Sequence, residues 1–278
     1  MLCYNYYISK KRHKERRDEM KYYVIADPHG FYTEMHQALD KAGFFSDTEP
    51  HKLVLCGDML DRGGEARKMV RFMADLLDKD QLIYILGNHE DLFVKCLQLI
   101  ARGDISEIMG RESHHYTNGT LGSLLQLALM NFDEANDFPS DLVRRVRLGD
   151  FYSKLLRCAV DYFETDNYVF CHGWIPVEQS PEGNLSYRAD WRDASTDEWA
   201  RARWLHGIEL AVTHKILEPN KTIVCGHWHT SWGHSVLHKE GEEWGPSAIF
   251  APFYDEGIIA LDGCTSYSRI VNCIVIED

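Results

Sequence analysis

Five short segments, far apart along the chain, each follow an apolar run and carry side chains that bind metal. They are Asp27-Pro28-His29-Gly30, Gly57-Asp58-Met59-Leu60-Asp61-Arg62-Gly63, Gly87-Asn88-His89-Glu90, His172-Gly173 and Gly226-His227-Trp228-His229. A packed core has no use for Asp, His and Asn in this order, whereas a pair of divalent cations does. Donors so distant in sequence meet only if the apolar runs lie side by side as strands whose carboxyl ends share one edge. Asp58 has two carboxylate oxygens, enough to bridge two ions. Asp27 and His29 are two apart, so an extended segment sends both side chains the same way. Asn88 offers a neutral carbonyl oxygen, and His172 and His227 offer imidazole nitrogens. This mixture of O and N donors suits Mn²⁺, Fe or Zn²⁺ better than Ca²⁺.

Hydrophobic periodicity predicts strand and helix in alternation. Tyr22–Ala26, Leu53–Cys56 and Leu82–Leu86 read as strands; Thr33–Ala42, Glu65–Asp78 and Glu90–Ala101 read as amphipathic helices. That βαβαβα opening implies a parallel sheet with right-handed crossovers. Residues 102–160 change character. They hold a polar stretch, a short helix at Thr120–Met130, a charged Asn131–Gly149 and a helical Phe151–Ala159, and are read as a helical insertion beside the site. Strands return at Val160–Glu164, Tyr168–Cys171, Thr222–Cys225, Gly257–Leu261 and Ile270–Ile276. Gly183–Arg201 is polar and aromatic, and 178–205 is read as a lid loop.

The 278 residues allow one large α/β domain, here 20–278. The basic run in residues 1–19 follows its apolar part, which is the wrong order for a signal peptide. We read 1–19 as a tail or the product of a mis-set start codon. No apolar run approaches a membrane span. A net charge of −13 disfavours broad binding to nucleic acid or anionic membrane, but not a phosphate substrate, because bound cations reverse the local field. The eight cysteines are scattered without ligand spacing. They read as small buried hydrophobes in a reducing compartment, hence a cytoplasmic protein.

The succession Asp-x-His-Gly, Gly-Asp-x-x-Asp-Arg-Gly, Gly-Asn-His-Glu, His-Gly, Gly-His resembles the calcineurin-like metallophosphoesterases, over about residues 22–276 and most strongly over 22–92. More narrowly it resembles their phosphoprotein phosphatase branch, marked by Asp-Arg-Gly and Asn-His-Glu and including a phage phosphatase and bacterial diadenosine tetraphosphatases. The resemblance implies a four-layer α/β/β/α sandwich of two mixed sheets. It implies two divalent ions, Mn²⁺ first and Fe, Zn²⁺ or Ni²⁺ otherwise. One ion would sit on Asp27, His29 and Asp58, the other on Asp58, Asn88, His172 and His227. His229 matches a ligand of the wider superfamily that this branch usually lacks, so a place beside the ligands is its alternative role.

The implied reaction is hydrolysis of a phosphomonoester by a hydroxide bridging the ions. His89 would be the general acid, Asp61 the carboxylate holding it, and Arg62 the phosphate clamp. For the branch's second clamp the candidates are Arg203, which precedes Trp204 where the family arginine follows a tryptophan, and His206. The implied substrate is a phosphoprotein, as for a serine/threonine phosphatase, or alternatively a dinucleoside polyphosphate or a phosphodiester. A non-catalytic scaffold is disfavoured because every expected ligand is present. Trp191, Trp199, Trp204 and the Trp228–His234 segment suit base stacking, peptide binding or simple packing. His114, His115, His206, His214 and His238 otherwise read as ordinary surface or packing histidines.

Overall fold

Side chains alternate across each central strand, and the alternation sorts them into separate cores. In the first strand, β1 (Lys21–Ile25), Tyr22 and Val24 point one way, and Tyr23 and Ile25 the other. The same split holds in β2 (His51–Cys56), with Val54 and Cys56 opposed to Leu53 and Leu55, and in β3 (Leu82–Ile85), with Ile83 and Ile85 opposed to Leu82 and Tyr84. Every one of these side chains is buried. Strands buried on both faces need a layer on each side, and the chain provides them. The computed structural model describes residues 20–103, 108 and 113–278. The tail assigned to 1–19, and parts of the insertion, lie outside the described residues.

The remaining strands are β4 (Phe163–Glu164), β5 (Tyr168–Phe170), β6 (Val177–Gln179), β7 (Leu185–Tyr187), β8 (Thr222–Cys225), β9 (Phe253–Asp255), β10 (Ile258–Ala260) and β11 (Cys273–Glu277). One sheet runs β11-β1-β2-β3, the other β4-β5-β8-β10-β9, and β6-β7 form a small hairpin. In the first sheet β1, β2 and β3 are parallel and β11 is antiparallel to β1. In the second, β5, β8 and β10 are parallel, with β4 and β9 antiparallel at the edges. Both sheets are therefore mixed. They pack face to face through Tyr22, Val24, Val54, Cys56, Ile83 and Ile85 on one side and Phe170, Val224 and Leu261 on the other.

Helices α1 (Tyr32–Ala42), α2 (Ala66–Asp78) and α3 (Asn88–Arg102) cover the outer face of the first sheet. Met35 and Leu39 of α1, Met69, Met73 and Leu76 of α2, and Phe93, Cys96 and Leu97 of α3 recur at helical spacing and are buried there. The outer face of the second sheet carries a distinct core built on Trp174, Trp191, Trp199 and Ile208. The result is the expected four-layer sandwich.

Three readings change in detail. The charged Asn131–Gly149 is helical, over Phe132–Asp137 and Pro139–Leu148, because Leu142, Val143 and Val146 give it one apolar face. Phe151–Leu155 winds as a π-helix. The segment 178–205 is not a lid loop. It holds β7, a 3₁₀ turn at Trp191–Asp193 and a helix at Thr196–Ala202. Trp191 and Trp199 are buried in the second core. Their rings meet edge to face, and Tyr162 stacks on Trp199, a gain of apolar area that outweighs the polar neighbours read from sequence.

Cys56, Cys96, Cys171 and Cys225 are buried and free. Cys158 is exposed, contrary to the reading of all cysteines as buried. No described helix is long and apolar enough to cross a membrane.

Candidate metal centre

All five segments lie at the carboxyl ends of β1, β2, β3, β5 and β8, where the two sheets face each other. The turns that present them are not extended. Asp27, His29, Asp58, Asp61, Arg62 and His227 all have positive φ, between 45° and 76°. The Asp27–His29 pair thus converges by a left-handed turn and not by extended geometry. Such backbone is sterically costly for residues with a Cβ and concentrates where function demands it. Glycines make room between the turns. A Cβ on Gly226 would lie 2.0 Å from Asp27 Oδ2, and one on Gly87 would lie 2.1 Å from Asp58 Oδ1.

Asp58 is the hub. Donor atoms of His29, Asp58 and His89 lie within 4.8 Å of one another, and so do those of Asp58, His172 and His227. His172 Nε2 is 3.3 Å from Asp58 Oδ1, and His29 Nε2 is 3.7 Å from Asp58 Oδ2. Asn88 Oδ1 stands 2.8 Å from His172 Nε2. The outer nitrogens are tied down: His29 Nδ1 lies 3.0 Å from the Leu60 carbonyl and His172 Nδ1 2.8 Å from that of Cys56. A proton shared there leaves each Nε2 lone pair facing Asp58. Asp27 accepts from the His227 backbone N–H at 3.0 and 3.1 Å, which joins the first sheet's site to the second's.

Electrostatics point the same way. Burial pushes the pKa of His29 well below its ordinary value, lowers that of His172, and takes His227 down to about 3. Neutral imidazole is the form that binds a metal. Burial works to raise the pKa of Asp58, but His172, His89, His29 and His227 together hold it below the usual carboxylate range. Burial, with Asp262 and Asp58 nearby, raises that of Asp27 well above it. Neutral imidazoles around clustered carboxylates are the donor set that a pair of divalent cations satisfies, so these residues fit the implied ions.

Beside the hub, His89 Nδ1 lies 2.8 Å from Asp61 Oδ2, and its Nε2 lies 3.3 Å from Arg62 Nη2. Burial opposes protonation of His89, but Asp58 and Asp61 win, and its pKa is raised.

Four further residues support the centre, and of these only Glu90 belongs to a motif. Thr120 and Ser123 of the insertion donate to Asp61 at 2.7 and 2.9 Å. Glu90 accepts from the backbone N–H groups of Asp58, Met59 and Gly87 at 2.7–3.0 Å, while burial and Asp58 push its pKa up to about 7. Asp262 follows β10 and is buried near Asp27; burial lifts its pKa to about 6. Position at the carboxyl end of a strand was the one signal that pointed to it.

Three expected site residues stand apart. Arg203 is 3% exposed, donates to Asp91 Oδ2 at 2.6 Å and pairs with Asp161, so its guanidinium faces protein carboxylates and not an open phosphate site. His206 Nδ1 caps the next helix by accepting from the Glu209 N–H at 3.3 Å. Its ring stacks on Trp228 at 4.1 Å, and burial takes its pKa down to about 4, which makes it a neutral packing group. His229 is outside both donor clusters: its Nδ1 lies 2.9 Å from Ser231 Oγ and its Nε2 3.5 Å from Glu243. Trp204 and Trp228 remain exposed, with ring centroids 5.9 and 6.3 Å from that of His227.

The family described as calcineurin-like phosphoesterase matches residues 20–251. A bis(5'-nucleosyl)-tetraphosphatase PrpE [asymmetrical] of Bacillus subtilis is 36% identical over 76 residues, covering 25% of this chain and 31% of that protein. A bis(5'-nucleosyl)-tetraphosphatase, symmetrical, of Buchnera aphidicola is 37% identical over 71 residues, covering 26% of this chain and 24% of that one. The match thus spans less than a third of the length of either relative. Among solved structures, a cold-active protein-tyrosine phosphatase of a psychrophilic Shewanella species aligns over 94% of this chain and 78% of its own, at 13% identity and a TM-score of 0.49.

Proposed function

This chain belongs to the calcineurin-like phosphoesterases, and from that membership we propose that it is a metal-dependent hydrolase of phosphomonoesters. One observation carries the reading: Asp58 stands between the neutral imidazole of His29 and those of His172 and His227, with Arg62 and the His89–Asp61 pair alongside. Asp27, His29 and Asp58 would hold one divalent ion, and Asp58, Asn88, His172 and His227 the other. Manganese is our first choice, since the donors mix oxygen and nitrogen. When bound, the ions supply Lewis-acid activation of water and neutralise phosphoryl charge.

The chain's own groups do the rest. Arg62 stands beside His89, and the planar fork of its guanidinium suits two parallel hydrogen bonds to phosphoryl oxygens. Asp61 keeps a proton on His89 Nδ1 and fixes the ring's direction. His89 Nε2 carries the proton that passes to the leaving oxygen. Thr120 and Ser123 hold Asp61 by its two oxygens, so the pair is oriented before substrate arrives. The buried free cysteines suit a reducing compartment such as the cytoplasm.

A second reading is favoured by a specific observation. Trp204 and Trp228 are exposed beside His227, where a nucleobase could stack, and hydrolysis of a dinucleoside polyphosphate would use them. Turnover by the Mn²⁺-loaded protein separates the readings. We would compare a phosphothreonine peptide, diadenosine tetraphosphate and bis-p-nitrophenyl phosphate, with Asp58→Asn as the blank. Dominant peptide turnover supports a protein phosphatase. Dominant dinucleotide cleavage, reduced by Trp228→Ala, supports the second reading. Turnover no greater than the blank on all three would overturn the proposal.

A further inference from the structure

We propose that His234, His238 and Glu240 form a further divalent-cation site, of the borderline kind that takes Zn²⁺. The inference is independent of the reaction proposed above, because none of the three belongs to the donor groups around Asp58.

One donor atom from each of His234, His238 and Glu240 lies within 4.8 Å of the other two. The two histidines are four apart on a π-helix, Gly233–Leu237, and its immediate continuation, a widened turn that recurs at functional sites. His234 Nε2 donates to the Ala251 carbonyl at 3.2 Å, which leaves the lone pair on Nδ1. That Nδ1 is shut off from water, has no hydrogen-bond partner and faces Glu240 Oε2 at 3.8 Å. A lone pair aimed at a carboxylate is unfavourable unless a proton or a metal cation lies between them. The His234 side chain is only 11% exposed, so solvent does little to relieve it.

The rings are also held. His238 Nε2 lies 3.0 Å from Asp255 Oδ2, the carboxylate support that steadies metal-binding imidazoles. Phe253 packs against both rings, at 4.5 Å from His238 and 5.4 Å from His234. The backbone closes the loop beneath them: His238 N–H donates to Gly233 O at 3.2 Å and Glu240 N–H to His234 O at 2.9 Å. Tetrahedral ligation at about 2.0–2.1 Å needs donors roughly 3.4 Å apart. The Glu240 side chain is 62% exposed and free to swing in by that difference. Two imidazoles and one carboxylate match a common zinc donor set. An ion here would tie the π-helix to the turn that follows it, and His238 carries the link on to Asp255 of β9.

The test is zinc stoichiometry after equilibrium dialysis of the full chain against micromolar Zn²⁺, read by elemental analysis. Wild type, Asp58→Asn, His238→Gln and Glu240→Gln are compared. Both His238 and Glu240 are exposed, so their variants should stay folded, which circular dichroism checks. The expected result is one zinc fewer per chain in His238→Gln and in Glu240→Gln than in wild type. Asp58→Asn should keep that zinc, and combining it with His238→Gln should lose it. With Co²⁺ in place of Zn²⁺, the visible tetrahedral bands of Asp58→Asn should vanish in the double variant. Equal zinc content in wild type and both exposed-ligand variants would overturn the site. So would a Co²⁺ spectrum unchanged by His238→Gln in the Asp58→Asn background.

Discussion

Single residues of the centre do separable work. Asp61 touches His89 at 2.8 Å and helps to raise its pKa against burial. Replacing Asp61 by Asn should therefore lower the pKa of His89. The pH at which kcat falls off on the alkaline side should move down, while metal content stays constant. Removing the proposed proton donor, by His89→Asn, should cost about 10²–10⁴ in kcat on alkyl phosphates and much less on p-nitrophenyl phosphate. Gly226 acts by absence. An alanine Cβ would sit 2.0 Å from Asp27 Oδ2, so Gly226→Ala should reduce bound metal sharply with the fold retained, as elemental analysis with circular dichroism would reveal. The identities of these residues were legible because donor chemistry at strand ends is rare in a core. Their backbone was not. Left-handed φ at Asp27, His29, Asp58 and His227 is imposed by the tight approach of neighbouring turns, which the local sequence does not encode.

Among the elements, strands and helices with one clear apolar face were readable, as Met69, Met73 and Leu76 in α2 illustrate. The segment from Gly183 to Arg201 misled because its polar residues cap and bridge while its two tryptophans enter the core. Two residues beyond it, Arg203 joins Asp91 of α3 to Asp161 ahead of β4. Taking the guanidinium away leaves two carboxylates facing each other. We expect Arg203→Met to cost about 3 kcal/mol in urea unfolding, the lower end for a broken buried pair, since the Asp91 side chain is 41% exposed. Its KM for p-nitrophenyl phosphate should stay near that of wild type. A tenfold rise in KM with unchanged stability would restore Arg203 to the role of phosphate clamp. The link from Thr120 and Ser123 to Asp61 was invisible beforehand for a different reason: it spans about 60 residues and involves hydroxyls with no motif of their own.

At the scale of the molecule, two sheets share one site and an acid-sensitive network backs the second of them. Glu164 is desolvated by burial, yet hydrogen bonds from Arg192 and Lys221 lower its pKa below the ordinary 4.5. A carboxylate depressed in the folded state lends stability above pH 4.5 and loses it as pH falls through its folded value. Melting temperature should therefore drop between pH 5 and pH 3 more in wild type than in Glu164→Gln. The sharing of one site between sheets also sets a schedule. Asp27, His29, Asp58 and Asn88 have all been synthesised by residue 88, but His227 follows His89 by 138 residues. At about 5–20 residues per second, the ribosome takes roughly 7–28 s to supply the last of the proposed ligands. His172 arrives 83 residues after His89 and His227 comes last, so the growing chain holds its acidic hub with an incomplete set of imidazoles until residue 227 is made.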